Sequence, residues 1–193
     1  MEIYIVRHGE TDWNLQKRLQ GREDIPMNET GVAQANAAGR ALEGIEFEYI
    51  LSSPLTRARR TAEIIDGYVR CGKVVCEEGL TERCFGSLSG QQVKNLYTAE
   101  CDDMEPREQV YDRVTEVFKR YAGRGCGRIL AVSHGGTIRS LFRGIMGEST
   151  PSPMILKNAC ISVCEYSDGR ITIDRYNMTA DEFDEYRVER SGK

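Results

Sequence analysis

Two apolar, β-branched runs in this chain each end at a histidine followed by glycine, and no other histidine occurs in its 193 residues. One run is Ile3-Tyr4-Ile5-Val6, leading into Arg7-His8-Gly9; the other is Ile129-Leu130-Ala131-Val132, leading into Ser133-His134-Gly135-Gly136. Runs without polar alternation read as strands of a parallel sheet, covered on both faces. Ligands of open α/β sheets bind at the carboxyl ends of such strands. Two imidazoles brought from distant sequence to that one edge can meet over a single substrate.

The rest of the chain supplies the helices that a parallel sheet requires. Glu2–Val6 reads as the first strand. Thr30–Leu42 is an alanine-rich helix with Gly31 and Gly44 near its ends. Tyr49–Ser52 is a short strand stopped by Pro54, and Thr56–Tyr68 carries Ala58, Ala62, Ile65 and Val69 at helical spacing. Val74–Cys76 reads as a strand, Gln109–Tyr121 as an amphipathic helix, Arg128–Ser133 as the second long strand and Thr137–Ile145 as the helix after it. Cys160–Tyr166 and Arg170–Tyr176 alternate in polarity around Ser167-Asp168-Gly169, a hairpin signal. Residues Gln91–Arg107 show little period and read as an irregular or helical insertion over one face. The expectation is one domain spanning 1–193, an α/β, three-layer fold. Its mostly parallel sheet is flanked by helices on both faces, with an antiparallel edge and a small insertion over the active site.

Composition narrows the function. A net charge of −4, a pI near 5.4 and the absence of any Lys/Arg-rich block argue against a nucleic-acid partner. No apolar stretch approaches the roughly 20 residues needed to cross a bilayer. The N-terminus runs straight into a strand with no signal-peptide pattern, so a cytoplasmic location is expected. The seven cysteines are scattered, form no Cys-x-x-Cys pair and read as free thiols, with Cys84 notable for its place beside Glu82-Arg83. No metal-ligand spacing is visible, so neither metal nor cofactor is expected. Monomer and homodimer both stay open, since the terminal hairpin offers an edge that pairing or local cover can satisfy.

The polar residues near the two histidines suit a phosphate group, which seeks arginine forks, main-chain N–H groups and helix N-termini. Arg7 precedes His8. Ser53-Pro54-Leu55-Thr56-Arg57 places Arg57 in the first turn of a helix, beside its positive dipole end. Gly9, Gly135 and Gly136 let the main chain approach a ligand closely. Asn14 and Gln20 are uncharged donors just past the first strand, and Glu82 is a carboxylate in a loop, available as a general acid.

Arg7-His8-Gly9-Glu10-Thr11, followed by Trp13-Asn14, resembles the signature of the histidine phosphatase superfamily, also called phosphoglycerate mutase-like proteins. Gln20-Gly21, Asn28-Glu29-Thr30-Gly31, Ser53-Pro54-Leu55-x-Arg57-Ala58, Glu82-Arg83 and Ser133-His134-Gly135-Gly136 follow in that family's order, so the resemblance covers residues 1–166. It implies a double displacement in which His8 attacks a phosphomonoester, becomes phosphohistidine and is then hydrolysed. It also implies that Arg7, Arg57 and His134 hold the phosphoryl oxygens, that Asn14 adds a hydrogen bond, and that Glu82 protonates the departing alkoxide. Elementary chemistry agrees, because imidazole is nucleophilic only when neutral and nearby arginines lower its pKa. Gln20, Gly21, Arg83 and Gly135 are the remaining substrate-side candidates; Gln20 and Arg83 read equally well as solvated loop residues.

Three activities fit this constellation: a phosphatase acting on a small phosphorylated metabolite, a cofactor-dependent phosphoglycerate mutase, and a non-catalytic phospho-ligand binding protein. A mutase must keep its phosphoenzyme from water and grip a second acidic group. The mutase pattern has a longer segment between the positions of Glu82 and His134, with adjacent arginines, and a polar residue and tyrosine where this chain has Cys84-Phe85. Here Gln91–Arg107 carries Glu100, Asp102, Asp103 and Glu105 against Lys94 and Arg107, a poor trap for a bisphosphate. The complete set Arg7, His8, Arg57, Glu82 and His134 argues against a binding protein. Phosphatase is the preferred reading.

Overall fold

Alternation along the central strands sorts their side chains between two cores. The computed structural model describes residues 1–93, 101–151 and 154–192. Its elements run β1 (Glu2–Arg7), α1 (Asp12–Leu15), α2 (Glu29–Leu42), β2 (Tyr49–Ser52), α3 (Thr56–Val69) and β3 (Val74–Cys76). After them come α4 (Arg107–Ala122), β4 (Arg128–Ser133), α5 (Gly135–Met146), β5 (Ile161–Ser167), β6 (Arg170–Met178) and α6 (Ala180–Ser191). The six strands form one open sheet in the order β3-β2-β4-β1-β5-β6. The first four are parallel, and β5 and β6 are antiparallel.

Ile3, Ile5, Leu51, Ile129 and Ala131 face α4 and α5, packing against Val114, Val117, Phe118, Ile138 and Phe142. Tyr4, Val6, Ile50, Leu130 and Val132 face the other way, onto Ala38 and Leu42 of α2, Ala58 and Ile65 of α3, and Phe183 and Tyr186 of α6. The three-layer, mostly parallel architecture with its antiparallel edge is therefore as the sequence predicts. The hairpin between β5 and β6 turns on Asp168 and Gly169, both at positive φ (51° and 78°), the conformation a tight two-residue turn requires. Among the described residues no helix is long and apolar enough to cross a membrane.

One boundary differs because polar capping, not apolar period, sets it. α5 starts at Gly135, two residues before the predicted start, because the loop carboxylate of Glu82 accepts from Gly136 N and Thr137 N in its first turn. Two helices escape the sequence reading. α1 is a single turn closed by a Thr11–Asn14 capping box, and α6 opens with a Thr179–Glu182 capping box while burying only Phe183 and Tyr186. The predicted insertion is described in part. Residues 94–100 lie outside the described residues, but Cys101 and Met104 pack with Leu88 and Val93 on Leu19 and Phe85, forming a third, smaller core beside the carboxyl edge of the sheet.

Candidate active site

Strand register sets the geometry. Arg7 of β1 lies opposite Ser133 of β4, so His8 and His134 leave the sheet side by side at its carboxyl edge. Their ring centroids are 5.1 Å apart, and His8 N donates to Ser133 O at 2.9 Å. β2 ends at the same edge, with Ser52 opposite Val132, and delivers Ser53 and then Arg57 in the first turn of α3.

His8 Nδ1 lies 2.7 Å from the carbonyl oxygen of Gly9. A carbonyl only accepts, so Nδ1 carries the proton and Nε2 holds the lone pair. Burial first, then Arg57, then Arg7 hold His8 well below the usual imidazole range. His134 is lowered in the same way, by burial and then by Arg57, His8 and Arg7. Both rings are thus neutral near pH 7. That is the state a nitrogen nucleophile needs.

Arg57 is fully buried, and its guanidinium is fixed from behind. Nη1 donates to Glu23 O at 2.6 Å and Nη2 to Gly21 O at 2.8 Å. Gly21 sits at φ +53°, a conformation that favours glycine and turns this carbonyl toward Arg57. Arg57 Nε is buried with no hydrogen-bond partner among the described residues. Burial brings Arg57 down to about 10, which leaves it charged near pH 7. Arg7 Nη1 donates to Leu156 O at 2.6 Å, holding the second arginine beside His8.

Glu82 is buried and closes the N-terminus of α5. Its Oε1 accepts from Arg83 N (2.8 Å), Thr137 N (2.8 Å) and Thr137 Oγ1 (3.1 Å), whereas Oε2 accepts from Gly136 N (3.0 Å). Oε2 is thus the less engaged of the two oxygens. Gly136 is what allows this approach: a Cβ there would lie 2.6 Å from Glu82 Oε1 and 3.0 Å from Phe85 Cζ.

A cavity of about 60 Å³ opens between these groups, lined by Arg7, His8, Asn14, Gln20, Glu82, Gly135 and Gly136, with Leu19, Phe85, Arg18 and Arg139 completing the wall. Arg57 and His134 stand behind that wall, both fully buried. A wider hollow of about 730 Å³ at the amino ends of β2, β3 and β4, beside Glu48, Arg70 and Arg128, contains neither histidine, so size does not mark the site. Asn14 Oδ1 is taken up by Thr11 N and by Asn158 Nδ2, leaving the amide nitrogen as the group it can offer a ligand. Gln20 is buried, and its Oε1 has no partner among the described residues.

Two candidates stand elsewhere. Gly21 supports Arg57 through its carbonyl, and Arg83 is absent from the cavity wall, its Nε donating instead to Glu105 O at 2.6 Å. Residues that the sequence reading passes over are Arg18, Arg139, Thr137, Asn158 and, at the end of β2, Ser53 in contact with His134. Ser53 and Thr137 lie inside or beside motifs already singled out, whereas Asn158 sits in an irregular segment with no local signal.

Known proteins share this sequence along nearly its whole length. The model of the histidine phosphatase superfamily (branch 1) matches residues 3–179. The chain is 35% identical to the uncharacterized phosphatase PhoE of Bacillus subtilis, over 92% of this chain and 95% of that one. It is 33% identical to phosphoglycerate mutase-like protein 4 of Arabidopsis thaliana, over 87% and 80%. Among solved structures, phosphoserine phosphatase of Entamoeba histolytica in complex with 3-phosphoglyceric acid superposes with a TM-score of 0.79 at 26% identity, covering 92% of this chain and 97% of that one. The chain belongs to the histidine phosphatase superfamily, branch 1.

Proposed function

We propose that this protein is a metal-independent phosphomonoesterase that passes a phosphoryl group first to His8 Nε2 and then to water. The observation that carries this reading is the hydrogen bond from His8 Nδ1 to the Gly9 carbonyl. It frees Nε2 as the nucleophile in a site where burial and two arginines keep the ring neutral.

In the first step the phosphorus–ester oxygen bond breaks as the Nε2–phosphorus bond forms. The departing oxygen takes a proton from Glu82 Oε2. In the second step water attacks phosphohistidine, gives its proton back to Glu82 and releases inorganic phosphate. Arg7, Arg57 and the His134 ring supply positive or N–H groups fixed in advance, the arrangement that stabilises developing charge most effectively in a buried site. The main-chain N–H of Gly135 and the Asn14 amide extend that set.

The substrate we infer is a small phosphomonoester that also bears a carboxylate. Beyond the phosphoryl end the cavity wall is Arg18, Arg139 and Gln20, cationic or amide in character, with Phe85 closing one side. The 3-phosphoglyceric acid held by the E. histolytica enzyme is a molecule of that class.

The test is rapid acid and alkaline quenching during turnover of a ³²P-labelled phosphomonoester. Wild type is expected to yield acid-labile, alkali-stable protein-bound phosphate, absent in His8→Ala. A His8→Ala variant that keeps full turnover sinks the mechanism. Transfer to a second phosphoglycerate instead of water would reassign the chain as a mutase.

A further inference from the structure

The second histidine offers one ring nitrogen to a hydroxyl and leaves the other without a partner. His134 Nε2 lies 2.7 Å from Ser53 Oγ, while Nδ1 is buried with no hydrogen-bond partner among the described residues. Both residues are fully buried, so bulk water does not complete either. We propose that Ser53 sets the tautomer of His134, placing its proton on Nδ1 and making the ring a neutral N–H donor to the transferring phosphoryl group. This rests on the phosphoryl-transfer reading of the site for its purpose, but not for its geometry.

A count of hydrogens decides between the two tautomers. Ser53 Oγ already accepts a hydrogen bond from Leu55 N at 3.2 Å. Its own hydrogen needs an acceptor, and among the described residues the one within reach is a lone pair on His134 Nε2. That lone pair exists only if the proton sits on Nδ1. The opposite tautomer would have Nε2 donate to Ser53, stranding a buried hydroxyl hydrogen and turning the Nδ1 lone pair toward an anionic ligand. Both consequences are unfavourable. A neutral ring also suits the surroundings, since burial and the nearby charge of Arg57 oppose a second proton.

Ser53 is well placed for this task. Its main-chain N–H donates to Val132 O at 3.0 Å, and its carbonyl accepts from Ser52 Oγ at 2.8 Å. The hydroxyl is therefore referenced to β4, the strand that delivers His134. Ser53 contacts neither the cavity nor the reacting atoms in this scheme. It is a positioning residue that acts through the ring.

The experiment is long-range ¹H–¹⁵N correlation spectroscopy on protein labelled at its two histidines, with the His8→Ala spectrum assigning His134. Wild type is expected to show a protonated Nδ1 and an unprotonated Nε2 at His134. Ser53→Ala is expected to move His134 to the other tautomer or to a mixture and to lower kcat by tenfold or more. Ser53→Thr, which restores the hydroxyl, is expected to recover both. A wild-type spectrum with the proton on Nε2 overturns the proposal, and so does an unchanged tautomer in a folded Ser53→Ala. If Ser53→Ala does not fold, the wild-type and Ser53→Thr spectra still decide the tautomer. Absence of phosphohistidine in the wild type would defeat the catalytic reading while leaving the tautomer result intact.

Discussion

Glu105 holds Cys84 by both its main-chain groups: Cys84 N donates to Glu105 Oε2 at 3.0 Å, and Glu105 N donates to Cys84 O at 3.0 Å. Arg83 Nε adds a bond to Glu105 O, and Arg113 Nε pairs with Glu105 Oε1 at 2.9 Å. The loop that carries Glu82 is thus tied to α4 at the two residues that follow it. Burial opposes ionisation of the Glu105 carboxyl, but the bonds from Arg113 and Cys84 N outweigh it and hold the group below the usual carboxylate range. It is therefore ionised near pH 7.

Glu105→Ala removes the acceptor for Cys84 N and for Arg113. It is expected to cost about 1 kcal/mol of stability, because half-buried donors lose their acceptor. It is also expected to lower kcat about tenfold, equal to about 1.4 kcal/mol of transition-state stabilisation, as Glu82 loses its support. Urea unfolding and steady-state kinetics measure the two effects separately. An unchanged kcat in a destabilised variant would show that Glu105 serves the fold alone.

Gly136→Ala tests the approach of Glu82 to α5. The new Cβ would meet both the carboxylate and the Phe85 ring, so the carboxylate has to move. Displacement of a catalytic group by about 1 Å costs about a hundredfold in rate. The expected result is a kcat lowered by that order with protein that still folds, because the clash lies at the cavity. Retention of wild-type kcat and pH profile counts against Glu82 as the proton carrier.

The two histidines give stability a pH dependence with a defined sign. Both are held below 6.5 in the folded chain and return to about 6.5 when it unfolds. Below that pH the unfolded state binds protons that the folded state refuses. Stability is therefore complete above about pH 6.5 and falls as pH drops from there toward the folded values, by up to about 2.7 kcal/mol per pH unit for two groups. Urea midpoints at pH 7.5, 6.5 and 5.5 check this, and His134→Gln is expected to halve the slope. A flat profile over that range would show that the folded rings take up protons as readily as the unfolded ones.

Arg18 faces the cavity from above Trp13, its guanidinium 5.7 Å from the ring centroid and its Nη1 bonded to Gly90 O. Arg18→Ala is expected to raise KM about tenfold for a phosphomonoester bearing a carboxylate, about 1.4 kcal/mol of binding. Hydrolysis of p-nitrophenyl phosphate is expected to change less than about twofold, a difference of at most about 0.4 kcal/mol. Equal losses on both substrates would place Arg18 at the phosphoryl end instead.

Orthovanadate, which adopts the five-coordinate geometry of the transferring phosphoryl group, is expected to inhibit competitively. Dialysis against a chelator is expected to leave kcat within about twofold, because arginines and N–H groups meet the charge on phosphorus in this scheme. Loss of activity on chelation, restored by a divalent cation, would require a different mechanism.

Much of this is legible in the sequence because the strongest signals coincide. The apolar runs mark β1 and β4, and the polar residues that interrupt them fall at strand ends, where a two-sided sheet tolerates them. His8 and His134 are found that way, and Arg57 by its place in the first turn of the helix that follows Pro54. α6 is not, because it buries only a narrow stripe, Phe183 and Tyr186, and is announced chiefly by the Thr179–Glu182 capping box.

Arg18, Arg139 and Asn158 escape for another reason. Their roles come from tertiary placement around the cavity, and no local pattern distinguishes them from surface residues. Arg83 shows the converse. Adjacency to Glu82 makes it a substrate-side candidate or a solvated loop residue, and the structure leaves it off the cavity wall with its Nε bonded to Glu105 O.

The pairing of Arg7 with Ser133 has a consequence for how this protein can vary. Side chains alternate faces along a strand, so a slip of β1 against β4 by one residue would exchange the buried sets Ile3/Ile5 and Tyr4/Val6 and carry His8 away from His134. Insertions or deletions inside either strand are thereby closed to the protein, whereas the loops that follow the strands can lengthen without disturbing the two rings. New specificities can arise in those loops while the phosphoryl chemistry stays fixed by the hydrogen-bond ladder beneath it.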